Sequence, residues 1–285
     1  MFVTLIYFDL YIINYMFKIL NKIQFSPEAN NMQSVASTDV ALKRFNSSKS
    51  KNLKFLLKQR FDWMNKYIGE KDIGLEVGSG AGFTKFFIKN NNFKTSDLSE
   101  DSHLDYKKVD AQATNFKDQS FDYVIASNMI HHIPYPIKFF REMNRILKKN
   151  GKLIIFEAYA SALLQIVTIA MRHEGFDFTL NVWDEEKPKS EVNNAWSGNI
   201  AVPNLIFDNK EEFNLRLGHL FSLELDELTE CFIFLNSGGV TSKTFYIPLS
   251  SFFLKILNTF DKFLVKFSPK IFCMGRRIVL VKKDL

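Results

Sequence analysis

The chain has 285 residues, is 46% hydrophobic and 24% charged, and carries a formal net charge of +6. That apolar content can bury a sizeable core and excludes a disordered chain. Two cysteines, Cys231 and Cys273, cannot build a disulfide framework or a four-cysteine zinc site, so the chain reads as cytoplasmic with no metal expected.

Met1 to Phe17 holds one charge, Asp9, among large apolar side chains. As a spanning helix it is short and interrupted by an acid, and as a signal peptide it lacks a basic start. Residues 1–15 read as a dispensable extension with Met16 as the working start; a membrane or interfacial anchor is the other reading. Residues 26–52 are polar and read as a loop with at most short helical turns. From Lys43 to Arg60 run seven basic side chains and no acid, either a solvated face or a contact for an anionic group. Leu53, Leu56, Leu57, Phe61, Met64, Tyr67 and Ile68 then recur at helical spacing.

Short apolar runs at 73–77, 123–126 and 153–156 read as buried strands, with weaker candidates at 93–98 and 106–109. Helices are predicted over 83–90 and 136–149. This alternation implies right-handed crossovers and a mostly parallel sheet covered on both faces. Residues 161–207 are less regular. Asp208 and Glu211 form a capping-box-like start for a helix to about His219. Phe221, Leu223 and Leu225 alternate as in a strand, and 236–239 is a turn. Residues 252–267 form a basic, Phe-rich helix assigned to core packing rather than to a membrane surface, and 276–283 a last strand.

The sharpest signal is the run from Gly74 to Phe83, with Gly78, Gly80 and Gly82 at a strand-to-helix junction. Glycines there let a ligand approach main-chain atoms that a Cβ would block. The spacing is G-x-G-x-G, not the dinucleotide fingerprint G-x-G-x-x-G. Glu76, two residues before Gly78, suits a ligand with a positive amino group rather than a pyrophosphate. Asp97 ends the next strand, where a carboxylate can accept from ribose hydroxyls.

With these motifs, residues 72–158 resemble the class I S-adenosylmethionine-dependent methyltransferases, closest to the small-molecule branch called methyltransferase type 11. The likeness runs through Leu75 to Gly82, Ser96 to Ser99, Val109 to Ala111, Phe116 to Ser127, His131-His132 and Arg145 to Lys148. It implies an α/β, Rossmann-like, seven-stranded mostly parallel sheet with helices on both faces and an acceptor-binding insertion. The expected organisation is an N-terminal extension over 1–41, an S-adenosylmethionine-binding core over 42–160, the insertion over 161–207, and a C-terminal completion of the sheet over 208–285. By the same resemblance Glu76 and the backbone at Gly78, Ser79, Gly80 and Gly82 hold the methionine moiety. Asp97 binds the ribose, Leu98 packs on the adenine, Asp110 and the Ala111 N–H meet its polar edge, and Ser127 and Asn128 line the site near the sulfonium. One departure is visible: only a short, acid-broken stretch separates Asp97 from Asp110, with no room for the usual helix.

If the acceptor is a hydroxyl, a histidine suits the role of base. His132, with His131 beside it, and His173 are the candidates. Asn128 is followed by Met129-Ile130, which speaks against a base-methylating enzyme, and nothing suggests a nucleic-acid channel. The expected reaction is O-methylation of a small molecule, a sugar or glycan intermediate. A lipid or quinone-like acceptor with peripheral membrane contact, and a non-catalytic binding protein on the same fold, are the alternatives.

Overall fold

The computed structural model describes residues 24–27, 37–172, 174–241 and 243–284. The readings made for residues 1–15, Met16 and His173 fall outside these residues. In chain order the elements are β1 (Gln24–Phe25), α1 (Thr38–Asn46), α2 (Lys51–Phe61), β2 (Gly74–Val77), β3 (Phe93–Thr95), β4 (Phe121–Ser127), α3 (Pro136–Ile146) and β5 (Leu147–Ala158). They continue with α4 (Ala162–Met171), β6 (Phe176–Asp177), α5 (Val202–Phe207), α6 (Lys210–Leu217), β7 (Phe221–Thr229), α7 (Phe232–Leu235), α8 (Ser251–Phe267), α9 (Pro269–Phe272) and β8 (Gly275–Lys282).

Six strands pair in the order β3-β2-β4-β5-β8-β7. β3, β2, β4 and β5 are parallel, and β8 is antiparallel to both its neighbours. The two-residue pleat sorts the side chains. Leu75, Val77, Val124, Ala126, Leu153 and Ile155 share one core with Phe139, Phe140 and Met143 of α3 and Phe213 of α6. Tyr123, Ile125, Ile154, Phe156 and Val279 face the other way and join Leu53, Leu57 and Phe61 of α2. The short β1 and β6 pair separately.

The fold class stands as read, but the strand count is corrected from seven to six among the described residues. Residues 106–109, expected as a strand, contribute only the isolated bridge between Ser96 and Tyr106. The Asp105 carboxylate takes the Thr95 N–H (2.9 Å) and hydroxyl (3.0 Å), and Lys108 has a φ of 54° that breaks an extended run. The helix expected over 83–90 is a single 3-10 turn, Phe83–Phe86. Just beyond it Asn65 occupies the Phe87 carbonyl and the Lys89 N–H, both at 2.9 Å, in place of helical bonds. The helix predicted to 149 ends at Ile146, where Leu147 already enters β5.

Three helices, α1, α4 and α5, arise where a loop or irregular chain was expected. α1 forms because Ala41 and Phe45 bury one face, with Phe45 stacked on Phe83 at 4.8 Å. α4 starts at Ser161, whose hydroxyl accepts from the Leu164 N–H at 3.3 Å. The α6 cap is Asn209, which accepts from the Glu212 N–H at 3.1 Å, rather than Asp208 with Glu211; Asp208 instead pairs with Arg276 at 2.5 Å.

α8 lies where it was expected, but its assignment to core packing is overturned. It buries only Leu254, Asp261 and Val265, while five phenylalanines and Ile256 stand in solvent. Helical spacing defines a stripe; it does not say what covers the stripe. No helix among the described residues is long and apolar enough to cross a membrane.

Candidate active site

From β2 the chain steps outward to β3 and then returns to β4 on the opposite side. At this reversal the carboxyl ends of the strands part and leave a crevice. A cavity of about 920 Å³ fills it, at the upper end of the range for small-molecule sites. The glycine loop, the ends of β3 and β4, and the segment from α4 to Ile200 all contribute to its wall.

On one side stand the cofactor candidates. Gly78, Gly80 and Gly82 all have positive φ, at 64°, 49° and 68°. A Cβ on Gly80 would meet nothing within 4 Å, so the loop presents bare backbone to the cavity. The loop's donors are not a helix start, since only one turn follows. Ser79 ties it to the end of β3, its N–H donating to the Ser96 carbonyl at 3.0 Å. Asp97 accepts from the Gly80 N–H (2.8 Å) and the Ser99 N–H (2.9 Å), so this carboxylate also braces the loop. His103, which no sequence pattern singles out, closes the loop from outside through its Nε2 and the Gly80 carbonyl, 2.7 Å apart.

Glu76 is 2% exposed and bonded to the Thr84 hydroxyl. Burial pushes its carboxyl up to about 7; the Thr84 and Ser79 hydroxyls favour the ionised form and offset only part of this. A buried carboxylate with hydroxyl partners and a cavity before it is the chemistry that receives an ammonium. Leu98 is exposed along the same wall, Ala111 is buried, and Asp110 is exposed and holds the Gln112 N–H at 2.8 Å as a turn cap. Asn128, in left-handed conformation, and Ser127 line the cavity between the two halves.

The other side is built around the histidine pair. Glu157, at the end of β5, is fully buried and held by three partners: it accepts from the N–H groups of Met129 (2.8 Å) and Ile130 (2.6 Å) and meets His131 Nδ1 at 2.6 Å. Glu157 therefore orients a histidine. His131 Nε2 lies 3.5 Å from Glu174, and His132 Nε2 3.7 Å from it. Burial opposes charge on His131, but the Glu157 and Glu174 carboxylates prevail and raise its pKa. Burial, reinforced by the neighbouring His131 charge, lowers that of His132 and keeps it neutral. His132 Nδ1 faces the Ser197 carbonyl at 3.2 Å, which leaves Nε2, beside Glu174, as the lone-pair nitrogen.

Gly198 presses its backbone against both rings. A Cβ there would stand 2.9 Å from His132 Cε1 and 3.2 Å from His131 Cδ2. Among the described residues, His131, His132 and Glu174 are the one group spaced to hold a metal ion, with donor atoms within 4.8 Å of one another. Glu174 was missed in the sequence, where nothing links it to a histidine pair over forty residues earlier.

Glu191, Asn193, Asn194 and Trp196 complete this wall, with Val240 and Thr241 from the turn after α7. The basic stretch supplies no free arginine to the cavity. Arg60 is buried in a two-point pair with Glu230 (2.8–3.1 Å) over the Phe156 ring, and Arg44 donates to the Val240 and Thr241 carbonyls.

The model of a methyltransferase domain family matches residues 75–155. An uncharacterised protein of Methanocaldococcus jannaschii is 31% identical over 110 residues, covering 36% of this chain and 48% of that protein. A phosphatidylethanolamine N-methyltransferase of Cereibacter sphaeroides is 24% identical over 82 residues, covering 29% of this chain and 40% of that protein. The chain thus spans less than half the length of these curated relatives. Among solved structures, an S-adenosylmethionine-dependent methyltransferase from Archaeoglobus fulgidus is similar with a TM-score of 0.47 and 15% identity, over 86% of this chain and 99% of that one.

Proposed function

We propose, from the premise that this chain belongs to the class I S-adenosylmethionine-dependent methyltransferases, that it methylates a small molecule bound in the cavity at the end of β2 and β4. One observation carries the reading: a single cavity is lined by Glu76, the glycine loop and Asp97 on one side and by His131, His132 and Glu174 on the other. The residues present fit the cofactor, because Glu76 is a buried carboxylate that lacks a strong cationic partner and Gly80 leaves open space. When bound, S-adenosylmethionine supplies an activated methyl group, and the hard chemistry is its own.

The chain's part is to bind, align and exclude water. Glu76 holds the amino group and Asp97 the ribose. Asp110 and Ala111 receive the adenine edge, with Leu98 on its face. Across the cavity, His132 is kept neutral with Nε2, beside Glu174, as its lone-pair nitrogen, the atom that would accept a proton from an acceptor hydroxyl. Glu157 and the His131 charge fix the geometry of that pair. Polar Glu191, Asn193 and Asn194 beside Trp196 suit a hydroxyl-rich acceptor with an apolar ring face, which supports a sugar or glycan intermediate. The second reading is an amphiphilic acceptor with a polar headgroup. The exposed apolar face of α8 favours it, and the Cereibacter relative is by its name a phosphatidylethanolamine N-methyltransferase.

The test is calorimetry with S-adenosylhomocysteine, followed by an acceptor screen that reads its release from S-adenosylmethionine. In the screen, His132→Gln should lower kcat on the order of 10²-fold or more while cofactor affinity holds. Tight cofactor binding with no turnover across sugars, lipids and amines would establish the non-catalytic alternative.

A further inference from the structure

The outer face of α8 is the largest feature the cavity does not use. Phe252, Ile256, Phe260, Phe263 and Phe267 recur every three or four residues and therefore form one stripe, with Phe253 beside it. These six side chains are between 47% and 75% exposed. Lys255, Lys262 and Lys266 form a second exposed row directly alongside. The single acid of the helix, Asp261, points the other way. It is buried and accepts the N–H groups of Cys231 (3.0 Å), Phe232 (3.0 Å) and Ile233 (2.8 Å), pinning α8 to the start of α7. The solvent side of α8 is thus apolar along one row and, apart from Thr259, cationic along the next.

From these rows we infer that α8 lies on an anionic lipid bilayer, its phenylalanines in the acyl boundary and its lysines at the headgroups. This is the arrangement of an interfacial helix. From Phe252 to Phe267 the stripe is about 22 Å long, and one helix is roughly 10 Å wide. The six side chains expose on the order of 700 Å² at ~200 Å² for a whole phenylalanine, close to what one side of a dimer buries, so charge and not area selects the occupant. A second copy would bring one lysine row against another. An acidic membrane surface satisfies both rows at once.

The face reaches the cavity. The Phe232 ring lies against Phe260 at 6.4 Å with an interplanar angle of 15°, and Phe234 of the same short helix lines the cavity wall. Docking on α8 therefore brings the α7 side of the site to the bilayer, where an amphiphile can present its headgroup. The acceptor side of this statement rests on the proposed function; the docking itself does not, and its test reads no turnover.

The experiment is sedimentation of the full chain with vesicles of 30% phosphatidylserine in phosphatidylcholine, against pure phosphatidylcholine. The chain should bind the anionic vesicles and be released by salt. Replacing Lys255, Lys262 and Lys266 with glutamine should weaken binding on the order of 100-fold, about fivefold for each lysine. Phe252→Ser with Phe263→Ser and Phe267→Ser should abolish it, and because these positions are exposed the thermal melt should be unchanged. Three results overturn the inference: no binding to anionic vesicles, binding that survives the triple Phe variant, or a dimer in solution that this variant dissolves.

Discussion

Replacing Glu76 with glutamine should move stability and cofactor affinity in opposite directions. The Glu76 carboxyl is 2% exposed and sits at about 7 in the folded chain against 4.5 in the reference state. An acid raised on folding costs nothing below its unfolded value and costs increasingly as pH climbs through the interval. Here stability is lost between pH 4.5 and about 7. The interval corresponds to roughly 3 kcal/mol at pH 8. Glutamine has the same shape and no charge. Without cofactor, Glu76→Gln should therefore melt about 5 °C or more above the parent at pH 8 and level with it near pH 4.5. Bound ligand reverses the order, since the ammonium then meets an amide instead of a carboxylate and should bind about 10–100-fold more weakly. In the parent, the ionised fraction of Glu76 falls from about nine-tenths at pH 8 to about one-tenth at pH 6, so S-adenosylhomocysteine affinity should drop about tenfold over that span. The variant should show no such drop. Thermal melts and calorimetry at the two pH values measure both effects. A variant less stable than the parent at pH 8, or one that binds equally well, would refute the assignment of Glu76.

Three further outcomes follow from the geometry. Asp97→Ala should weaken S-adenosylhomocysteine by ~1–3 kcal/mol in calorimetry, through lost ribose contacts and a loosened Gly80 N–H; unchanged affinity would remove the ribose assignment. Gly198→Ala should leave cofactor affinity intact and cut turnover at least ~10-fold, because its Cβ displaces the His132 ring; full activity would mean that ring position is not critical. Asp261→Ala leaves three N–H groups at the start of α7 without their acceptor and should cost ~2–4 kcal/mol in denaturant unfolding; a loss under ~0.5 kcal/mol would show that water replaces the carboxylate.

How much of this was readable in the sequence depends on distance along the chain. Glu76, Gly78, Gly80 and Asp97 could be placed because a strand, its following turn and the next strand end form a local unit whose chemistry is set by a few neighbours. Tyr106 to Val109 misled, since Tyr and Val flanking two lysines suggest a strand only weakly and cannot show that the Asp105 carboxylate already occupies the Thr95 edge. Asn65 ends the turn after Phe83 from across the fold, and no local propensity reports such a partner. Glu174 joins His131 and His132 only after α4 has crossed the cavity mouth. For α8 the periodicity was right and the environment wrong, because an apolar stripe looks the same in sequence whether protein or another phase covers it.

The place of β8 in the sheet has a consequence for the order of assembly. β8 is the last of the six strands to leave the ribosome, yet it lies between β5 and β7, which emerge well before it. Until Gly275 to Lys282 arrive, both neighbours present unpaired backbone edges rich in apolar side chains, Ile154 to Phe156 on one and Phe221 to Leu225 on the other. The nascent chain thus carries a slot that its final strand must fill from the middle, a long-range closure that is slow and open to mispairing. A chain stalled before Gly275 should be cleaved rapidly by protease along β7, and adding a synthetic β8 peptide should protect it.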